Sequence, residues 1–307
     1  MNGGTAAWAR ERERGGRLVL RLMIRLSLGL GQPVGEALLT PITLWFLAAS
    51  PGARAASRSF LARALGRPAR AGEVWRHFRC FASVILDRVF LLAGRGGGFD
   101  LRVKGLAALE AALAGGRGAL LLGSHLGSFE ILLAFAAGAP APVRALMYRA
   151  NAGALSALLA ELDRARPAGT IDIGAPEAML EVREALARGE IVALLADRSP
   201  ATDRQVLVPF LGAPAAFPTG PFLLAAILEA PVLLCWGIRL GPRRYQIRFE
   251  PFAERLVLER GERAPALEAV VARYAGRLAA MARRHPCNWF NFFPFWEQPR
   301  NAGGPPR

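Results

Sequence analysis

From residue 99 onward, short apolar runs alternate with stretches whose apolar positions recur at helical spacing. Ala119–Gly123, Val143–Met147, Ile191–Ala196 and Val232–Ile238 are too short for helices, almost uniformly apolar and bounded by turn residues. They read as strands, Ala119–Gly123 as one buried on both faces. Gly169–Ile173, Val206–Pro209 and Tyr245–Phe249 read as further strands, and Pro218–Leu228 and Pro265–Arg283 as helices. One unit occurs twice: helix Leu106–Ala114, turn Gly115–Gly118 and strand Ala119–Gly123; then helix Pro176–Ala187, turn Arg188–Glu190 and strand Ile191–Ala196. Each strand ends in polar residues, His125 after the first and Asp197–Arg198 after the second. Repeated helix–turn–strand units imply parallel strands opening onto one crevice. The fold class is therefore α/β, a mostly parallel central sheet flanked by helices, carrying an apolar N-terminal helical membrane-binding segment.

That segment reads differently from the rest. After a polar stretch over residues 1–16, Arg17, Arg21 and Arg25 recur four apart with leucines between them, which predicts a basic amphipathic helix. Leu26–Ala49 holds a single charge, Glu36, and is interrupted by Pro33 and Pro41. A spanning helix needs ~20 apolar residues, but arginines crowd both flanks, and the prolines favour two short pieces over one rod. The reading is insertion from one side of a membrane, with a buried structural hairpin as the alternative. Arginines within the apolar region exclude a cleavable signal. Residues 53–66 and 72–92 predict amphipathic helices, the second carrying His77 as a packing or surface histidine. Gly94–Gly98 is a linker, with no Gly-Lys-Ser/Thr to make it a phosphate loop. It separates an N-terminal region, residues 1–98, from an α/β core with an aromatic tail, residues 99–307.

The chemistry gathers in Gly123–Ser–His125–Leu–Gly127–Ser128–Phe–Glu130. A helix over Ser128–Phe135 has Ser128 or Gly127 as its N-cap and Glu130 near its positive end. Inside one helix, His125 and Glu130 would stand ~140° apart. They meet only if His125 lies in the turn before the helix, and that geometry makes a base with its orienting carboxylate. Taken alone, the spacing is equally a strand-to-helix turn with one satisfied histidine and one capping glutamate. Its position at the carboxyl end of a strand, where open α/β sheets bind ligands, favours chemistry. Ser124 is a poor nucleophile, because histidine stands where a G-x-S-x-G serine would.

Composition narrows the partners. The 307 residues are 53% hydrophobic and carry a formal charge of +15, which points to an acidic partner: nucleic acid, an anionic membrane or an acidic carrier protein. The arginines show no aromatic interleaving within a recognisable nucleic-acid motif, so no nucleic-acid partner is expected. Cys80, Cys235 and Cys287 are far apart and odd in number, against a disulfide scaffold or a zinc site. No metal and no cofactor are expected.

Gly123–Glu130 matches the H-x4-D/E motif of the lysophospholipid acyltransferase superfamily, and the chain most resembles its branch of bacterial lipid A biosynthesis late acyltransferases. Tyr148–Arg149, Asp197–Arg198, Val208–Gly212 with Pro218–Thr219–Gly220, and Trp289–Trp296 follow in that branch's order. The resemblance covers roughly residues 15 to 297. It implies a peripheral enzyme on the cytoplasmic face of the inner membrane, using acyl carrier protein or acyl-CoA as donor and acylating a lipid or glycolipid hydroxyl. In that chemistry His125 deprotonates the acceptor and Glu130 orients it. Amides around Ser128 are candidates to face the oxyanion. Arg149 and Arg198 are candidate phosphate or pantetheine-phosphate contacts, with solvated arginines as the alternative. Asp197 either orients Arg198 or positions the acceptor. The chain departs from the branch at Arg198–Arg204 and His285–Asn288, which leaves the acceptor open: lipid A-like or another lipid. The rival functions are an acyl-thioester hydrolase using the same His/Glu pair and a non-enzymatic basic membrane-binding protein.

Overall fold

The computed structural model describes residues 17–129, 131–132, 138–147, 169–198, 203–258 and 261–297. Four helices come first: α1 (Arg17–Leu30), α2 (Gln32–Ala49), α3 (Pro51–Leu65) and α4 (Ala71–Leu92). Then follow β1 (Asp100–Lys104), α5 (Leu106–Leu113), β2 (Ala119–Gly123), β3 (Val143–Met147), β4 (Thr170–Asp172), α6 (Ala178–Ala187) and β5 (Ile191–Leu195). The hairpin β6 (Gln205–Phe210) and β7 (Ala213–Pro218), α7 (Gly220–Leu228), β8 (Val232–Gly241), β9 (Arg244–Ala253) and α8 (Arg263–Arg284) complete the order.

Seven strands form one sheet in the order β1-β9-β8-β2-β5-β3-β4, with β6 and β7 paired apart from it. The five strands from β8 to β4 run parallel to one another. β9 returns antiparallel beside β8, and β1 lies parallel to β9. The apolar runs are continuous because both faces are covered. On one face Leu120, Leu122, Val192, Leu194 and Trp236 join a core with α3, α4, α6, α7 and α8. On the other Ala119, Leu121, Ile191, Ala193 and Cys235 pack with Leu109 of α5 and Val84 of α4. The expected α/β class and mostly parallel sheet are therefore present. Two strands escape the periodicity: β1 alternates between exposed and half-buried residues at a sheet edge, and β7 contains two prolines.

Among the described residues no single helix is long and apolar enough to cross a membrane; α2 and α3 together reach that composition but meet at 97°. The break between α1 and α2 falls at Gly31, with Pro33 in the first turn of α2. Pro41, expected to split the segment, sits inside α2 without ending it. A proline removes one bond to the carbonyl four residues back; here that is Ala37, and both residues lie on the exposed side of the helix, where water can replace the bond. The opposite side is held by polar groups. Gln32 Nε2 donates to Asp87 Oδ1 at 2.5 Å, and Tyr245 Oη donates to Asp87 Oδ2 at 2.7 Å. Arg239 bridges Asp87 and Glu36 at 3.3 and 3.4 Å, tying α2 and α4 to the β8–β9 edge.

The tail closes the core. Trp289 meets Phe60 of α3, Phe210 of β6 and Phe295 edge-on, at centroid distances of 4.9, 5.1 and 5.0 Å. Behind it lies His77, fully buried in α4. Its Nε2 is 2.9 Å from the Trp289 carbonyl, which can only accept, so Nε2 carries the proton. The Ser57 hydroxyl, 2.8 Å from Nδ1, therefore donates to a neutral ring. Burial lowers the His77 pKa to about 4. A buried neutral histidine must gain its charge on unfolding, so its contribution is complete above about 6.5, falls as pH drops towards 4, and is flat below. Chemical denaturation of wild type and His77→Gln at pH 7 and pH 4 should show wild type losing about 3 kcal/mol more than the variant. An equal loss in both would remove His77 as the source.

Candidate active site

β2 and β5 lie side by side, parallel and in register from Ala119 opposite Ile191 to Gly123 opposite Leu195. His125 and Asp197 each stand two residues beyond these strand ends, so the register delivers them together. Asp197 Oδ1 is 2.8 Å from His125 Nδ1. A carboxylate accepts, so Nδ1 carries the proton and Nε2 keeps a free lone pair. The same carboxylate accepts the His125 backbone N–H, 3.1 Å from each oxygen, and the indole N–H of Trp289 at 3.0 Å from Oδ2. Asp197 has no solvent exposure, whereas the His125 side chain is 39% exposed. Burial would raise the Asp197 carboxyl, but the charge and hydrogen bond of His125, the nearby Arg198 and Trp289 outweigh it and hold the group far below the usual carboxylate range. Asp197 is thus a fixed anion that sets the tautomer of His125.

The segment after His125 is pinned by backbone contacts. Gly127, at φ 83°, crosses so close to β8 that an added Cβ would lie 2.0 Å from the Gly237 carbonyl oxygen; one on Gly237 would lie 2.2 Å from that of Ser128. Both positions therefore require glycine. The tail adds a rung on the other side: Gly127 N–H donates to Asn288 O at 2.7 Å, and Phe290 N–H donates to His125 O at 3.0 Å. From α8, the buried Tyr274 hydroxyl donates to Gly123 O at 2.7 Å.

Ser128 caps the helical turn that follows, its hydroxyl accepting the Ile131 N–H at 3.3 Å, while its own N–H donates to Gly237 O at 2.8 Å. The amides of Gly127 and Ser128 are thus engaged by carbonyls, and the expectation that amides around Ser128 face an oxyanion is corrected for these two. Ser128 itself is buried and lies outside the lining of the cavity described next.

His125 opens onto a cavity of about 620 Å³. Its walls are apolar along most of their extent, with Leu146, Met147, Ile173, Met179, Leu194 and Leu224 among them. Arg198, Asp203 and Arg204 add charge beside the first turn of α7, at Thr219 and Gly220. The Arg198 side chain is only 13% exposed; it donates to Phe290 O at 2.7 Å, stands 3.8 Å from Asp197 Oδ2 and lies 4.9 Å above the Phe293 ring. Burial draws its pKa down and Asp197 pushes it back up.

The sequence reading thus finds His125 and Arg198 at the cavity and Asp197 behind His125. Asp197 stands on Nδ1 as an orienting carboxylate, the role the sequence reading gives to Glu130. Glu130 and Arg149 lie outside the described residues. The spacing from the strand ends carried the signal for Asp197, since each residue follows its apolar run by the same interval, but only the strand register turns that into contact. Trp289 and Tyr274 gave no separate signal within an aromatic-rich tail and an amphipathic helix.

A comparison with curated proteins finds no match. The profile of the bacterial lipid A biosynthesis acyltransferases, however, matches residues 92–298, which include both strand ends, the cavity walls and Trp289. The histidine at a strand end, its buried carboxylate and the apolar cavity beside them lie within the span that this profile matches, and the chain belongs to the bacterial lipid A biosynthesis acyltransferase family.

Proposed function

We propose that this acyltransferase of lipid moves a fatty acyl chain from a thioester, carried by acyl carrier protein or CoA, to a hydroxyl of a lipid acceptor, with His125 as the base. The observation that carries the reading is the His125 imidazole, with Nδ1 tied to a buried carboxylate and the ring facing a largely apolar cavity. Nε2 takes the proton of the acceptor hydroxyl as its oxygen attacks the thioester carbonyl. Asp197 stabilises the imidazolium as it forms. When the tetrahedral intermediate collapses, the C–S bond breaks and the imidazolium returns its proton to the leaving thiolate. The apolar walls suit the acyl chain, whose burial contributes about 0.8 kcal/mol per methylene. Arg198 and Arg204 suit a phosphate of the donor arm or the acceptor. Glu130, which lies outside the described residues, is retained as the carboxylate of the motif.

We further propose contact with an anionic membrane through α1 and α2. Leu22, Leu26 and Leu30 recur every four residues and are exposed on α1, beside exposed Arg21 and Arg25. Along α2 the exposed positions Val34, Ala37, Pro41, Leu44, Trp45 and Ala48 form one apolar side, opposite the side that Asp87 and Arg239 anchor. This favours a helix lying in the interface over one that spans.

His125→Ala and Asp197→Asn should each lower kcat by about 10²- to 10⁴-fold in folded protein. The double variant should be little worse than either, because Asp197 acts through His125. Product measured by mass should appear only with a lipid acceptor present; equal turnover without one would make the protein a thioester hydrolase, and near-normal transfer by folded His125→Ala would remove the base. The net charge of +15 should speed encounter with an acidic carrier protein. Its apparent second-order rate should then fall as salt rises, while a small neutral thioester responds little; equal responses would remove the electrostatic argument. Vesicle sedimentation tests the membrane contact. Salt alone should release the protein poorly from anionic vesicles, whereas Leu26→Asp with Leu44→Asp should release it; complete release by salt would leave only charge attraction.

A further inference from the structure

The base and its carboxylate do not stand alone. Asp197 is held from behind by the Trp289 indole, and the Trp289 carbonyl is held by His77. His77 is in turn fixed by the Ser57 hydroxyl and stacked on Phe292 at 4.6 Å. The chain of contacts therefore runs Ser57, His77, Trp289, Asp197, His125, and each link is 2.8 to 3.0 Å. Its first two members belong to α3 and α4, which precede all but the first residue or so of the matched family profile. His77 is fully buried and has no route to substrate, so a second general base is excluded.

We propose that His77 is a positioning residue for the acyl transfer: by donating from Nε2 to the Trp289 carbonyl it sets the indole that holds Asp197 against His125. The proposal rests on the reading of His125 as base. Its physical content is an accounting of buried polar groups. Trp289 is fully buried and its carbonyl accepts twice, from His77 Nε2 at 2.9 Å and from the Asn291 N–H at 2.8 Å, so without His77 one of the two bonds is lost with no water to replace it. The carbonyl is then held only from within the tail, and the tail loses this tether to α4 and is free to shift. That tail also bonds His125 O through Phe290 and Gly127 N–H through Asn288, so a shift moves both partners of the dyad. The neutral ring is suited to the task, since it donates to a carbonyl on one side and accepts from a hydroxyl on the other. Glutamine carries the same donor and acceptor, whereas phenylalanine fills the space and keeps the aromatic contacts with neither.

The test compares His77→Phe and His77→Gln in the full chain. His77→Phe should lower kcat about 10- to 100-fold, the loss typical of a misplaced reacting group, with KM little changed. His77→Gln should recover most of that loss. In parallel, nitrogen NMR of labelled histidine should show His125 as the Nδ1–H tautomer in wild type and His77→Gln, and as a tautomer mixture in His77→Phe. This second readout reports on the imidazole whatever reaction the site performs, so a failure of the acyl-transfer reading leaves it standing. A kcat within about twofold of wild type in His77→Phe, equal losses in both variants, a loss confined to KM, or an unchanged tautomer would each overturn the proposal. Should His77→Phe not fold, Ser57→Ala frees the His77 ring to turn and should lower kcat several-fold; no change there overturns it equally.

Discussion

The active centre depends on one strand pairing. β2 and β5 lie parallel, so the residues that follow them leave the sheet in the same direction, at the same level and about one strand spacing apart. No loop has to search for its partner: the backbone ladder that stabilises the sheet also places an imidazole beside a carboxylate. A slip of one residue in that ladder would move every side chain of β5 to the other face of the sheet. The two cores, which take alternate residues of each strand, oppose such a slip. Packing on both faces of the sheet therefore holds the register that sets the dyad geometry.

Electrostatics then decides what the dyad can do. A carboxylate with no exposure is costly unless its charge is matched. Asp197 is surrounded by donors: a backbone amide, an imidazole N–H and an indole N–H, with a guanidinium nearby. The partner imidazole keeps its other side at a cavity. One end of the pair is thus dry and fixed while the other faces the cavity. This asymmetry allows a proton to arrive and leave at Nε2 without disturbing the anion behind it.

Much of this was legible in the sequence, and the limits have physical causes. Buried strands announce themselves as short apolar runs, so β2, β5 and β8 are legible, and so is β3, which is partly exposed but largely apolar. The edge strand β1 packs one side only and the hairpin strand β7 contains prolines, so neither carried the period. His125 was found because a histidine bounded by glycines ends a buried strand. Local spacing offers an orienting carboxylate five residues away, at Glu130, which lies outside the described residues; the contact from Asp197 to Nδ1 spans 72 residues, and that separation is set by strand register. His77 shows the same limit from the other side. Its helix was evident, but its partners are Ser57 and Trp289, and nothing local in α4 distinguishes a histidine that fills space from one that holds a carbonyl.

The sheet joins its earliest strand to its last: β1 pairs with β9, and β2 lies between β5 and β8. Contacts of such sequence separation form slowly, because long loops must close before they are rewarded. The site inherits that order. His125 leaves the ribosome early, yet Gly237, which seats the turn after it, comes more than a hundred residues later, and Trp289 later still. Until Asp197 follows, 72 residues on, the nascent chain carries a histidine with no carboxylate on Nδ1. The last donor to Asp197, the Trp289 indole, arrives only when the aromatic tail docks, so the buried charge is fully matched late in synthesis.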